Sequence, residues 1–158
     1  MEGGRLTMDI RPADLNHSSV QALLELHFRG MHEGSPPGTC FVLDLSGVRA
    51  SDVSVWAIWR DGEAIGVGAL RTLSPDHGEI KSMRTRPDAL GLGIGAAMLA
   101  HIMAEAKARG MTRLSLETGT GDLFEAALGL YRSRGFGPCA PFAGYEASAF
   151  NQFFTREI

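Results

Sequence analysis

The chain has little with which to staple, anchor or metallate itself. It has two cysteines in 158 residues, Cys40 and Cys139, with no metal spacing and no secretory context. That excludes a disulfide framework and reads as two free thiols in a reducing compartment. No apolar run approaches the ~20 residues that a membrane-spanning helix needs. The polar opening MEGGRLTMDIRPAD lacks the pattern of a signal peptide, so the expected location is the cytoplasm. A net charge of −3 gives no reason to expect nucleic acid or an anionic membrane as partner. His27 and His32 lie five apart, the wrong spacing for one helix face, and no carboxylate–histidine cluster supports them; no metal site is expected. No repeat, linker or low-complexity tract divides the chain, which predicts one domain over residues 1–158, long enough for a proper core.

What is abundant is glycine, 20 residues, three of them within Gly91-Leu92-Gly93-Ile94-Gly95. Upstream, residues 79–86 read as a strand. Downstream, Ile94, Met98, Ile102 and Ala106 form an i, i+4 stripe, supported by Leu99 and Met103, that predicts a helix ending at Gly110. Residues 113–117 then read as a second strand. Glycines at the mouth of a helix leave N–H groups that have no intrahelical partner and no side chain in front of them, at the positive end of the dipole. Such a nest suits a phosphate or diphosphate. The alternative is a turn whose glycines only permit close packing of helix on sheet.

The rest of the chain supplies the frame. Residues 6–11 read as a first strand, and Asn16 or Ser18 caps a helix to about Met31 with Val20, Leu23, Leu24 and His27 inward. The cluster Gly34-Ser35-Pro36-Pro37-Gly38 is a breaker, and residues 40–50 fit a short helix or an irregular segment. Residues 53–59 and 64–72 make a hairpin around Asp61-Gly62. Asp122 and Glu125 resemble a capping box for a helix with Phe124, Leu128 and Tyr131 in register, stopped by Gly135. A short strand begins at Phe136, and residues 145–155 read as a final strand. The order is β-α-(α)-β-β-β-α-β-α-β-β.

Two families could own the glycines. Gly91-Leu92-Gly93-Ile94-Gly95-Ala96 satisfies the loose dinucleotide fingerprint, with Glu117 at the kind of distance that holds a ribose. That fold, however, wants the fingerprint in a tight turn directly after its first strand, and Pro87-Asp88-Ala89-Leu90 intervenes here. Leu90-Gly91-Leu92-Gly93-Ile94-Gly95 resembles better the [RQ]-x-x-G-x-[GA] motif of the GNAT superfamily of N-acetyltransferases. Leu90 stands where that family prefers Arg or Gln, a departure that bears on the strength of phosphate binding, since backbone amides do most of the cradling. A second segment, Ala127-Leu128-Gly129-Leu130-Tyr131-Arg132-Ser133-Arg134-Gly135-Phe136, is similar to the family's A-x-x-L-Y-x-x-x-G-F. The resemblance covers nearly the whole chain. It implies a mixed α/β (α+β) fold: a central, mostly antiparallel twisted sheet of six to seven strands, split between the fourth and fifth, flanked by three to four helices.

The resemblance also implies acetyl transfer from acetyl-CoA, as co-substrate and without a metal, to a primary amine of a small molecule or peptide. Attack would be direct, in a ternary complex. The pantetheine arm would pair with backbone around Met83, Arg84 and Thr85, and the diphosphate would land on the amides of Leu90, Gly91, Leu92, Gly93, Ile94, Gly95 and Ala96. Tyr131 would donate to the leaving thiolate and line the coenzyme; by its spacing alone it is a core-edge residue. Arg134, with Arg132, is a candidate for the coenzyme's 3′-phosphate, although a last-turn Arg is also an ordinary helix-end choice. Glu79 is a candidate base, or else a solvated strand-end carboxylate paired with Lys81; two-residue alternation puts it on one face with Lys81, Met83 and Thr85. Glu117 acts as base, orients the amine, or only caps the following turn. Dimerisation is common in the family, and no residue pattern here marks an interface. The competing functions are a CoA-binding sensor without catalysis and, third, a dinucleotide-dependent enzyme.

Overall fold

A computed structural model describes residues 9–34, 51–120, 125–149 and 151–158, the side chains of 28–34 excepted. The elements in order are β1 (Asp9–Pro12), α1 (Ser18–Gly34), β2 (Val53–Arg60), β3 (Glu63–Ser74), β4 (His77–Thr85), a 3-10 turn (Pro87–Ala89), α2 (Ile94–Ala108), β5 (Arg113–Gly119), α3 (Glu125–Ser133), β6 (Gly137–Pro138) and β7 (Asn151–Glu157). The breaker cluster beyond Gly34, residues 40–50 and the Asp122 cap fall outside the described residues. Among those described, no helix is long and apolar enough to cross a membrane.

The strands form one seven-stranded sheet in the order β1-β2-β3-β4-β5-β7-β6. Every adjacent pair is antiparallel except β4–β5. That parallel pair registers over three positions only, His77 with Arg113, Gly78 with Leu114 and Glu79 with Ser115. Beyond Glu79 and Ser115 the two strands part, which is the expected split between the fourth and fifth strands.

Each face of the sheet has its own core. The stripe of α2 buries Ile94, Met98, Leu99, Ile102 and Ala106 against Ile58, Leu70, Ile80, Leu114 and Leu116. On the other face Val20, Leu23 and Leu24 of α1 bury against Val55, Ala57, Val67 and Ala69. Burial of a side chain of this size stabilises by about 1.5–3 kcal/mol, so the period-3.6 stripes are what dock both helices. Close approach of α2 requires Gly68, where a Cβ would stand 2.6 Å from Met98 Cγ and 2.8 Å from Met83 Sδ.

Two sequence expectations are corrected. Alternation along β4 fails at Ser82, which has φ 56 and is an extra residue in the register, since Val67 pairs Arg84 but Ala69 pairs Lys81. A bulge inserts one residue and so reverses the facing of everything after it. Glu79, Lys81 and Arg84 therefore share the α1 face with their partners Arg71, Ala69 and Val67, whereas Met83 and Thr85 turn to the α2 face. The last strand also starts later than residue 145. Asn151 accepts from Ser148 N at 2.9 Å and Oγ at 3.1 Å and donates to Glu146 O at 3.1 Å. Local side-chain bonds of this kind hold the backbone out of a ladder.

Candidate active site

Where β4 and β5 part, a cleft of about 610 Å³ opens. Gly91, Gly93 and Gly95 line it together with Met83, Arg84, Thr85, Tyr131, Glu79 and Glu117. Residues far apart in the chain thus meet because the sheet divides there.

The glycine end is built by backbone. Gly91 and Gly93 lie at φ 82 and 80, a left-handed region that L side chains adopt at a cost, and a Cβ at either would meet nothing within 4 Å. Gly93 caps α2 without any side-chain hydrogen bond. The first-turn amides of a fifteen-residue helix are therefore left for something other than its own cap. Leu90 and Leu92 are exposed on either side of Gly91. Leu90, Ile94 and Ala96 line the cleft with the glycines, whereas Leu92 and Arg134 are not among its lining residues. Arg134 sits exposed past the end of α3, its carbonyl accepting from Arg156 Nη1 at 2.5 Å.

Tyr131 comes from the buried stripe of α3, with its ring 5.8 Å from that of Phe136. Burial pushes its phenol well above the usual value, so it stays protonated. It is both a packing residue and a wall of the cleft.

Opposite, Glu79 is 1 % exposed and is not a solvated carboxylate. Its Oε2 accepts from Lys81 Nζ at 3.1 Å and from the Tyr145 hydroxyl at 2.6 Å. Lys81 Nζ donates to that hydroxyl as well, closing a triangle. Arg71 Nη1 stands 3.7 Å from Glu79 Oε1, near enough for charge attraction but beyond a hydrogen bond. Burial and the Glu79 charge push the Tyr145 phenol up, which keeps it a donor.

Glu117 has different surroundings. Burial lifts its carboxyl from 4.5 to about 7, against the opposing pulls of the Asn151 amide and the Lys81 charge. Among the described residues no basic side chain comes within 4.0 Å of it.

On the same side His27 reaches in from α1. Burial, and then the charges of Arg84 and Lys81, drop it from 6.5 to about 3, so it is a neutral imidazole. Arg84 Nη2 lies 3.4 Å from its Nδ1. Burial also lowers the Arg84 guanidinium from its ordinary value. Among the described residues no cluster of three or more potential metal ligands occurs.

Sequence reasoning missed Tyr145, Arg71 and the side-chain direction of Arg84. Tyr145 is delivered by Ala143 and Gly144, both at positive φ, in a loop with no motif. The direction of Arg84 follows from the Ser82 bulge, which no local pattern announces.

The family model described as Acetyltransferase (GNAT) family matches residues 19–136. An uncharacterized N-acetyltransferase of Escherichia coli (strain K12) is 42% identical over 149 residues, 94% of each chain. A crystal structure described as an acyl-CoA N-acyltransferase of Klebsiella pneumoniae superposes with TM-score 0.79 at 28% identity, over 95% of this chain and 97% of that one. A GNAT-family acetyltransferase of Elizabethkingia anophelis with acetyl-CoA bound shares the fold with TM-score 0.71 at 20% identity, over 96% of this chain and 98% of that one. With its glycine-lined helix mouth, its divided sheet and a family match that spans both, this chain belongs to the GNAT family of acetyltransferases.

Proposed function

We propose that the protein transfers an acetyl group from acetyl-CoA to a primary amine by direct attack in a ternary complex, with the whole chain acting as one GNAT domain. The observation that carries this reading is the single cleft that joins the uncapped start of α2 to buried Glu79, half-buried Glu117 and Tyr131. The residues present suit the co-substrate. The amides from Gly91 to Ala96 offer a diphosphate cradle with no side chain over Gly91 or Gly93, and residues 80–85 of β4 have no β5 partner to compete for their backbone groups on that side. Bound there, acetyl-CoA supplies the activated acyl group.

The protein's own groups then divide the work. An alkylamine with a pKa near ~10.4 must lose a proton before it attacks. Glu117, lifted to about 7, is the carboxylate matched to accept it at neutral pH. Glu79 is committed to Lys81 and Tyr145 and holds that wall in place. The Tyr131 phenol, pushed up by burial, is a weaker acid than a thiol of pKa ~8.5, so it hydrogen-bonds the departing sulfur without fully surrendering its proton. A strand amide near Met83 is the donor that this reading assigns to the acyl oxygen.

Thermal melting with acetyl-CoA, with NAD as control, followed by a thiol-release screen over an amine panel, tests the reading. A saturable upward shift with acetyl-CoA alone and thiol release with at least one amine is expected. A shift without thiol release from any amine identifies a CoA-binding sensor, and stabilisation by NAD alone a dinucleotide enzyme.

A further inference from the structure

Building on the transferase reading, we infer that the acceptor bears a carboxylate as well as its amine, and that Arg84 is the residue that selects for it. The cleft contains a mismatch of charge. On its polar side Lys81 pairs with Glu79 at 3.1 Å, and Arg71, behind Glu79 and outside the lining, pairs with Asp52 at 3.3 Å and stands 3.7 Å from Glu79. Arg84 has no such partner: among the described residues no carboxylate lies within ion-pair distance of it, and its Nε is buried without any hydrogen bond. Its one described contact of this kind is with neutral His27, which fixes the guanidinium without neutralising it. The Ser82 hydroxyl, also lining the cleft, is likewise buried and unpartnered. Across the split, on β5, stands Glu117, with no basic side chain within 4.0 Å among the described residues.

A half-buried guanidinium with an orphaned donor is costly unless something anionic completes it. The planar fork of an Arg matches the two oxygens of a carboxylate. The coenzyme is not the natural partner. Its cradle lies at the start of α2, and the bulge at Ser82 sends the Arg84 side chain to the α1 face, away from Thr85 and Gly95. A small amino-carboxylate answers both vacancies, its amine toward Glu117 and its carboxylate toward Arg84.

The test needs no turnover. Protein saturated with CoA is titrated calorimetrically with a panel of amino acids, varied in side chain and in amine–carboxylate separation, and with the matching carboxamides. At least one acid is expected to bind at least about tenfold more tightly than its amide, because the amide leaves the Arg84 charge unmatched. Arg84→Gln is expected to erase that ratio and Arg84→Lys to restore part of it. Equal binding of acid and amide, or an undiminished ratio in Arg84→Gln of wild-type melting temperature, overturns the inference. If no amino acid binds while carboxylate-free amines release thiol from acetyl-CoA, the inference fails and the transferase stands. Selective binding without thiol release refutes the transferase reading instead, and neither result refutes both.

Discussion

Partners, rather than depth, separate the two carboxylates of the cleft. Glu79 is held by a lysine and a phenol, while Glu117 is raised to about 7 with no cation within 4.0 Å among the described residues. A base of that affinity loads and unloads its proton around neutrality. The expected pH profile of kcat/KM therefore rises through about pH 7 on its acid side. Glu117→Gln is expected to lower kcat by roughly 10²–10⁴-fold and to remove that limb, as pH–rate measurements on both proteins would show. A limb that survives in the variant would return the role to Glu79. At the other end of the reaction, Tyr131→Phe is expected to reduce kcat by about 10²-fold while leaving the dissociation constant of acetyl-CoA nearly unchanged. An unaltered rate would make Tyr131 a packing residue only. Tyr131 was legible in the sequence because it sits in a motif and on a stripe. Tyr145 and the reach of Arg84 were not, because they depend on backbone at positive φ, at Ala143 and Ser82, residues that L-chirality disfavours there and that no pattern marks.

At the scale of the element, the start of α2 combines two properties that mutation can separate. Gly93 is in the left-handed region with open space around its Cα, so Gly93→Ala should cost about 1–2 kcal/mol of stability through φ alone. Gly93→Glu adds a carboxylate at the uncapped amides and should abolish acetyl-CoA binding beyond any loss of stability. Melting temperature and titration, measured on the two variants together, distinguish strain from charge; retained affinity in Gly93→Glu would dismiss the cradle. The helices were readable because each carries a continuous period-3.6 stripe, Ile94 to Ala106 in α2 and Val20 to His27 in α1. The strands were readable as strands, but not in their details. The late start of β7 comes from Asn151 bonding back to Glu146 and Ser148, and the facing of β4 from one extra residue.

For the whole molecule, half-buried Glu117 and buried His27 bear on stability in opposite directions. The raised Glu117 carboxyl contributes stability that is complete below its ordinary 4.5 and lost as pH rises through about 7. The lowered His27 contributes stability that is complete above its ordinary 6.5 and lost as pH falls toward about 3. Between pH 4.5 and 6.5 both operate, one linked proton each, and their slopes cancel. In that window Glu117→Gln should lose melting temperature on acidification faster than wild type, and His27→Gln more slowly. Parallel curves for all three proteins would show that neither group is linked to folding in this way. The Ser82 bulge has a reach at this scale too. It acts like an inserted letter in a reading frame: before it the odd-numbered residues of β4 face α1, and after it the even-numbered Arg84 does. Were Ser82 taken into the pleat instead of set aside from it, no residue would change, yet Met83, Arg84 and Thr85 would each turn to the opposite face, Arg84 toward α2 and Met83 and Thr85 toward α1.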